Sequence, residues 1–137
     1  MKTGKNVIIA LALLANLWFV SSCNNGPKRE VWLDEVYKDS CFVQDWGIPQ
    51  INQSVVWTPL TVNGVVYKRG IGAHSISRML YDLGGKAVSV SGLVGADDNN
   101  LYAGKLQFKI IGDKKELWKS GVMRKGDPVK AVSYTHL

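Results

Sequence analysis

Hydrophobic and polar positions divide this chain into two unequal parts. Val7 to Val20 form a nearly unbroken apolar run, Val-Ile-Ile-Ala-Leu-Ala-Leu-Leu-Ala-Asn-Leu-Trp-Phe-Val. Beyond it the pattern changes to short apolar stretches broken by turn signals. Val31-Trp32-Leu33-Asp34-Glu35-Val36 has strand character. Asp45-Trp46-Gly47-Ile48-Pro49 cannot continue a regular element and reads as a loop. Leu60-Thr61-Val62 and Val65-Val66-Tyr67 flank Asn63-Gly64, whose two positions accept the positive φ of a tight hairpin turn. Met79 to Leu83 is a strand candidate stopped by Gly84-Gly85. Ala87 to Val94 and Leu106 to Ile111 alternate apolar and polar residues as half-buried strands do, the second turning at Gly112-Asp113. Glu116-Leu117-Trp118 and Val129 to Val132 are the last candidates. Short strands at regular spacing, with no convincing amphipathic helix, predict an all-β sandwich or barrel.

The apolar run has its own meaning. Lys2 and Lys5 precede it, and Ser21-Ser22-Cys23 follow it. A positive flank, a short apolar core and small residues at the end are the marks of an export signal, expected here to be helical over 1–22. The run is shorter than the roughly 20 residues needed to cross a bilayer. Val20-Ser21-Ser22-Cys23 is similar to a bacterial lipobox, with valine where leucine is commonest. Cleavage there would leave Cys23 as an acylated N-terminus, and more than one acyl chain makes such an anchor stable. The expected location is therefore outside the cytoplasm, periplasmic or at the cell surface, held to the membrane by lipid. The alternative use of Cys23 is a disulfide with Cys41. If Cys23 is acylated, Cys41 is expected to be buried and inert. Residues 23–30 read as a polar tether, 31–132 as the folded module and 133–137 as an anomalous tail.

Charge adds little to this division. The net charge is +6 over 137 residues, and Lys2 and Lys5 supply two of those positives. The remaining basic residues are scattered, with no basic stripe interleaved with aromatics, so nucleic acid is not an expected partner. Nor is there a catalytic constellation. His74 and His136 stand in no zinc-like spacing with the cysteines. Asp97-Asp98 are adjacent, a poor acid/base pair for glycoside cleavage. They read either as a solvated turn held by Asx hydrogen bonds or as oxygen ligands for a hard cation such as calcium. Trp46 either stacks on a sugar ring or plugs the end of the sandwich. Trp32, Trp57 and Trp118 read as core or rim, and His74 as a structural histidine or a polar member of a binding rim.

Taken in order, several stretches resemble the NPCBM family, carbohydrate-binding modules attached to bacterial glycoside hydrolases. They are Val31-Trp32-Leu33-Asp34-Glu35, Trp46-Gly47-Ile48-Pro49-Gln50, Pro59 to Gly64, Tyr67 to Ser75, Tyr81 to Gly85, Val94-Gly95-Ala96-Asp97-Asp98 and Leu117 to Val122. The resemblance covers about residues 30–132. It implies a galactose-binding-like jelly-roll β-sandwich, often with a structural calcium, and a sugar site in loops at one end. It raises Trp46, His74, Asp97 and Asp98 as carbohydrate-binding candidates and implies no catalytic residue in the module. The implied partners are a galactose-containing glycan and a downstream, α-galactosidase-like catalytic domain. The other reading is a structural spacer that packs on a catalytic domain and binds no sugar. The family continues with further strands and an Asp-His-Ala-Asp-Trp-like closing motif. Ser133-Tyr134-Thr135-His136-Leu137 does not match it, so the sandwich is expected to be C-terminally truncated, with an exposed sheet edge.

Overall fold

The computed structural model describes residues 6–10, 30–36, 41–101 and 104–135. Within these residues the chain is all-β. The largest sheet has five strands in the order β10 (Lys115–Lys119), β9 (Lys109–Gly112), β1 (Asn6–Ala10), β7 (Ser77–Asp82) and β2 (Cys41–Gln44). Three strand pairs complete the fold. They are β11 (Lys130–Thr135) with β8 (Ser89–Val94), β3 (Gln50–Ile51) with β6 (Ile71–Gly72), and β4 (Leu60–Val62) with β5 (Val65–Tyr67).

Alternation along the strands builds the core. On β7, Met79 and Tyr81 are buried while their neighbours are more exposed. On β9 the buried positions are Ile110 and Gly112, and on β8 and β11 they are Val90, Val94 and Val132. Together with Leu33, Ile71, Phe108 and Met123 the apolar side chains among them form one cluster between the five-stranded sheet and the β8–β11 pair. Each fully buried side chain of this size contributes about 1.5–3 kcal/mol relative to exposure. A smaller cluster of Leu60 and Val62, with Tyr67, Leu93 and Val129 against it, seats the β4–β5 hairpin.

The turns follow local chemistry. Asn63 and Gly64 have φ of 49° and 77°, the hairpin turn expected from that dipeptide. The β9–β10 connection uses Asp113 and Lys114 at φ 47° and 70°, one residue beyond the expected Gly112-Asp113. Gly112 is instead paired and buried, because a side chain there would collide with Leu117 at 2.6 Å.

Several expectations need correction. The leader segment is not helical at 6–10; Asn6–Ala10 is a strand in the middle of the five-stranded sheet. Residues 31–36 form a turn, with Glu35 and Val36 N–H both directed at the Trp32 carbonyl, rather than a strand. Tertiary contacts decide this. Leu33 enters the core and its carbonyl accepts the Tyr81 hydroxyl, while Arg69 lies 4.3 Å above the Trp32 ring and binds Asp34. Cys41 is a free, exposed thiol, not a buried one. It sits on β2, an edge strand, on the face opposite the core-facing Phe42. Ser133 to Thr135, set apart as a tail, continue β11 in register with Ser91 to Ser89. Cys23 and His136 lie outside the described residues.

Candidate functional site

Four connecting segments, with Leu106, line a cavity of about 520 Å³. They are the 45–49 loop after β2, the 52–58 turn after β3, the 73–76 segment between β6 and β7, and the 95–101 loop after β8. That volume falls within the range of roughly 300–1,000 Å³ usual for small-molecule sites. Apolar side chains of Val55, Val56, Ala73 and Leu106 supply much of the wall, and Trp46, His74, Asp97 and Asn99 supply its aromatic and polar parts.

Trp46 does not plug the sandwich. It is 57% exposed, and its ring lies 5.5 Å from that of His74 at a tilt of 58°. Two neighbours hold this pair in place. Gln44 donates from Nε2 to the Trp46 carbonyl at 2.7 Å and accepts the His74 N–H at Oε1 at 3.2 Å. The Asp45 carboxylate lies 2.5 Å from His74 Nδ1. A carboxylate accepts, so Nδ1 carries the hydrogen, and Nε2 is the ring's remaining hydrogen-bonding atom. Gly47, at φ 72°, lets the 45–49 loop turn close to Val55, which a Cβ would meet at 3.1 Å. The 52–58 turn is organised by Ser54, whose hydroxyl pairs with that of Thr58 and accepts the Val56 and Thr58 N–H groups.

Asp97 and Asp98 hold the loop to the hairpin. Asp97 accepts the Asn99 N–H at Oδ1 and the Thr61 N–H at Oδ2. Asp98 accepts Asn63 N–H at Oδ1 and Gly64 N–H at Oδ2, and its own N–H bonds the Thr61 carbonyl at 2.7 Å. All four carboxylate oxygens thus face amide hydrogens. This donor-facing arrangement does not fit a calcium cage at Asp97-Asp98. Among the described residues, no group of three or more His, Cys, Asp or Glu comes together to hold a metal ion.

The structure therefore brings three of the four candidates, Trp46, His74 and Asp97, to one cavity, and gives Asp98 the hairpin. Sequence reasoning missed Gln44 and Asp45. Asp45 lies beside Trp46, but its pairing with His74 spans 29 residues and leaves no local signal. Trp57 is not in the core: it is 68% exposed, at a φ of 65°.

Comparison with known proteins bears on what such a cavity serves. The chain is 32% identical over 75 residues to a Renibacterium salmoninarum protein named "Putative endo-alpha-N-acetylgalactosaminidase", covering 55% of this chain and 5% of that one. It is 30% identical over 92 residues to the alpha-1,3-galactosidase B of Akkermansia muciniphila, covering 66% of this chain and 12% of the relative. The chain thus spans only a small part of each of these relatives. No solved structure matches it significantly. The model of the NPCBM/NEW2 domain matches residues 29–135, nearly the whole described β-structure, and the chain belongs to that domain family.

Proposed function

We propose that the domain is a non-catalytic module that binds a glycan in this cavity and keeps an attached glycoside hydrolase near its polymer. The observation that carries the reading is the half-exposed Trp46, braced by Gln44 and His74 at the mouth of a largely apolar cavity. An exposed indole face suits the C–H face of a pyranose, and a few fixed polar groups then orient its hydroxyls. His74 Nε2 and the Asn99 amide are the groups assigned that role. Asp97 acts as the scaffold of the wall, because its oxygens already hold backbone amides. The relatives' names, one an N-acetylgalactosaminidase and one a galactosidase, support a galactose-type sugar and an α-galactosidase-like parent enzyme. In the same reading, Cys23 carries the lipid that anchors the protein outside the cytoplasm. Tethering then raises the effective concentration of enzyme at the glycan.

The test is affinity electrophoresis through gels containing galactose-rich polysaccharide. The parent protein is expected to be retarded, and Trp46→Ala to run freely with an unchanged melting temperature. Equal retardation of both would remove Trp46 from the site. Free migration of the parent through every glycan tried would favour the spacer reading instead.

A further inference from the structure

Trp57 is held in a conformation that its own side chain disfavours. Its φ of 65° lies in the left-handed region, where a bulky residue meets steric strain and a glycine meets none. The 54–58 turn imposes this φ. Ser54 N–H donates to the Thr58 carbonyl at 2.8 Å, Trp57 N–H donates to the Ser54 carbonyl at 3.0 Å, and the Ser54 and Thr58 hydroxyls lie 2.7 Å apart. Strain of this kind persists only where the surroundings over-determine it, and it gathers at functional positions. Burial does little to offset it here, because the indole is 68% exposed. The fold needs the turn, and the turn would accept glycine. The indole is therefore a cost to the fold that folding alone does not explain.

The place of the turn gives it a use. Ser54, Val55 and Val56 belong to the wall of the cavity that holds Trp46. A Cβ on Gly47 would meet Val55 at 3.1 Å, so the 45–49 loop and the turn adjoin. Trp57 follows Val56 directly, one Cα step of about 3.8 Å along the chain. Its side chain is nevertheless no part of the cavity wall. A ligand seated against Trp46 reaches Trp57 only by continuing out of the cavity past Val56, which is itself 42% exposed.

We propose that Trp57 is a second stacking platform, so that the site takes an oligosaccharide: one sugar against Trp46 in the cavity, and a neighbouring sugar of the same chain on the exposed indole of Trp57. This rests on the glycan reading of the cavity and narrows its ligand to a disaccharide or longer. A broad, flat apolar face with a polar edge suits the C–H face of a pyranose and its hydroxyls. The hydrogen-bonded turn presents that face already ordered, which limits the conformational entropy lost on binding. The two tryptophans then differ in what they govern. Trp46 bears on every ligand that enters the cavity, and Trp57 only on those long enough to leave it.

The experiment is titration calorimetry of the full chain with galactose and with galactose-containing oligosaccharides of increasing length. The parent is expected to bind a disaccharide or longer about tenfold more tightly than galactose, or better. Trp57→Gly is expected to lose that gain, so that oligosaccharide and galactose bind alike. It should also melt at the parent's temperature or above, because glycine adopts this φ without strain. Trp57→Tyr keeps an aromatic face and should keep most of the gain. Trp46→Ala should lose both ligands. A gain undiminished in Trp57→Gly would overturn the second platform and leave the cavity reading standing. A Trp57→Gly melting temperature lower by more than about 5 °C would overturn it too, by showing that the indole supports the fold. A parent that binds no glycan of any length would sink the cavity reading, and this proposal with it.

Discussion

Gly72 is where the fold and the cavity meet, and replacing it with alanine tests how rigidly one supports the other. Gly72 pairs with Gln50 in the β3–β6 ribbon. An added Cβ would lie 2.1 Å from the Gln53 carbonyl oxygen, 2.7 Å from Ser54 Cα and 2.9 Å from Ser54 C. These are backbone atoms, so no side chain can swing aside. The 52–54 backbone would have to move by more than 1 Å. It is held by the Asn52 N–H to the Gly70 carbonyl, the Gly70 N–H to Asn52 Oδ1, and the Ser54 N–H to the Thr58 carbonyl. Overpacking of this kind costs about 1–3 kcal/mol. The upper end applies here, because relief also weakens hydrogen bonds worth about 1 kcal/mol each. Gly72→Ala is therefore expected to lose about 3 kcal/mol, a fall of roughly 10–20 °C in melting temperature for a domain of this size. Urea titration should show a lower midpoint at unchanged slope. Ser54, Val55 and Val56 line the cavity, so glycan retention should fall with stability. Gly104→Ala, with nothing within 4 Å of the new Cβ, is the neutral control. A Gly72→Ala protein within about 0.5 kcal/mol of the parent would refute the claim that close backbone approach requires glycine here.

Asp98→Ala should loosen the β4–β5 hairpin by about 0.5–1.5 kcal/mol by removing the acceptor of the exposed Asn63 and Gly64 amides, read as faster hydrogen exchange at those two residues. Arg69→Ala should cost more, about 1–3 kcal/mol measured by urea denaturation, because Asp34 is 5% exposed and would lose its guanidinium partner. Glu116 is held below its ordinary value of 4.5, chiefly by the hydrogen bond from Lys109. A carboxylate depressed in this way stabilises the fold above its unfolded pKa, and the contribution disappears as pH falls through the folded value. The stability difference between parent and Glu116→Gln is thus expected to be present at neutral pH, to vanish on acidification and to shrink in high salt, as followed by thermal melts across pH; a difference independent of pH would contradict it.

Most of the strand order along the chain was legible, since the period-two alternation of β7, β8 and β9 is a direct consequence of burying one face. The 60–67 hairpin was readable from Asn63-Gly64 alone. Three features were not. β3 and β6 are two residues each, too short for any periodicity. Residues 31–36 alternate like a strand yet turn, because Trp32, Leu33 and Asp34 each find a distant partner that a strand would not reach. Asn6–Ala10 is the most instructive case. An apolar β-branched run satisfies both an export signal and a sheet centre, and composition cannot tell them apart; the pairing of Asn6–Ala10 with β7 and β9 is a long-range contact with no local signal.

The site divides in the same way. Trp46 and His74 were visible as an aromatic and a polar side chain on loops, each with a structural and a binding reading open, and the structure brings both to the cavity wall. Their supports were invisible, since Gln44 and Asp45 reach His74 across 30 and 29 residues. Asp97 and Asp98 mark the opposite case: the residue types were conspicuous, but their work is to join a loop to a hairpin 34 to 36 residues away. What a carboxylate does is decided by what already faces its oxygens. At 97 and 98 those are amide hydrogens, which makes the pair a fastener for the cavity wall. The hydrogen-bonding capacity left for a sugar then falls to Trp46, His74 and Asn99. A glycan held mainly by exposed indole and a few polar groups gains affinity from ring stacking more than from charge. Its retention should therefore depend little on ionic strength, in contrast to the salt-sensitive Lys109–Glu116 pair.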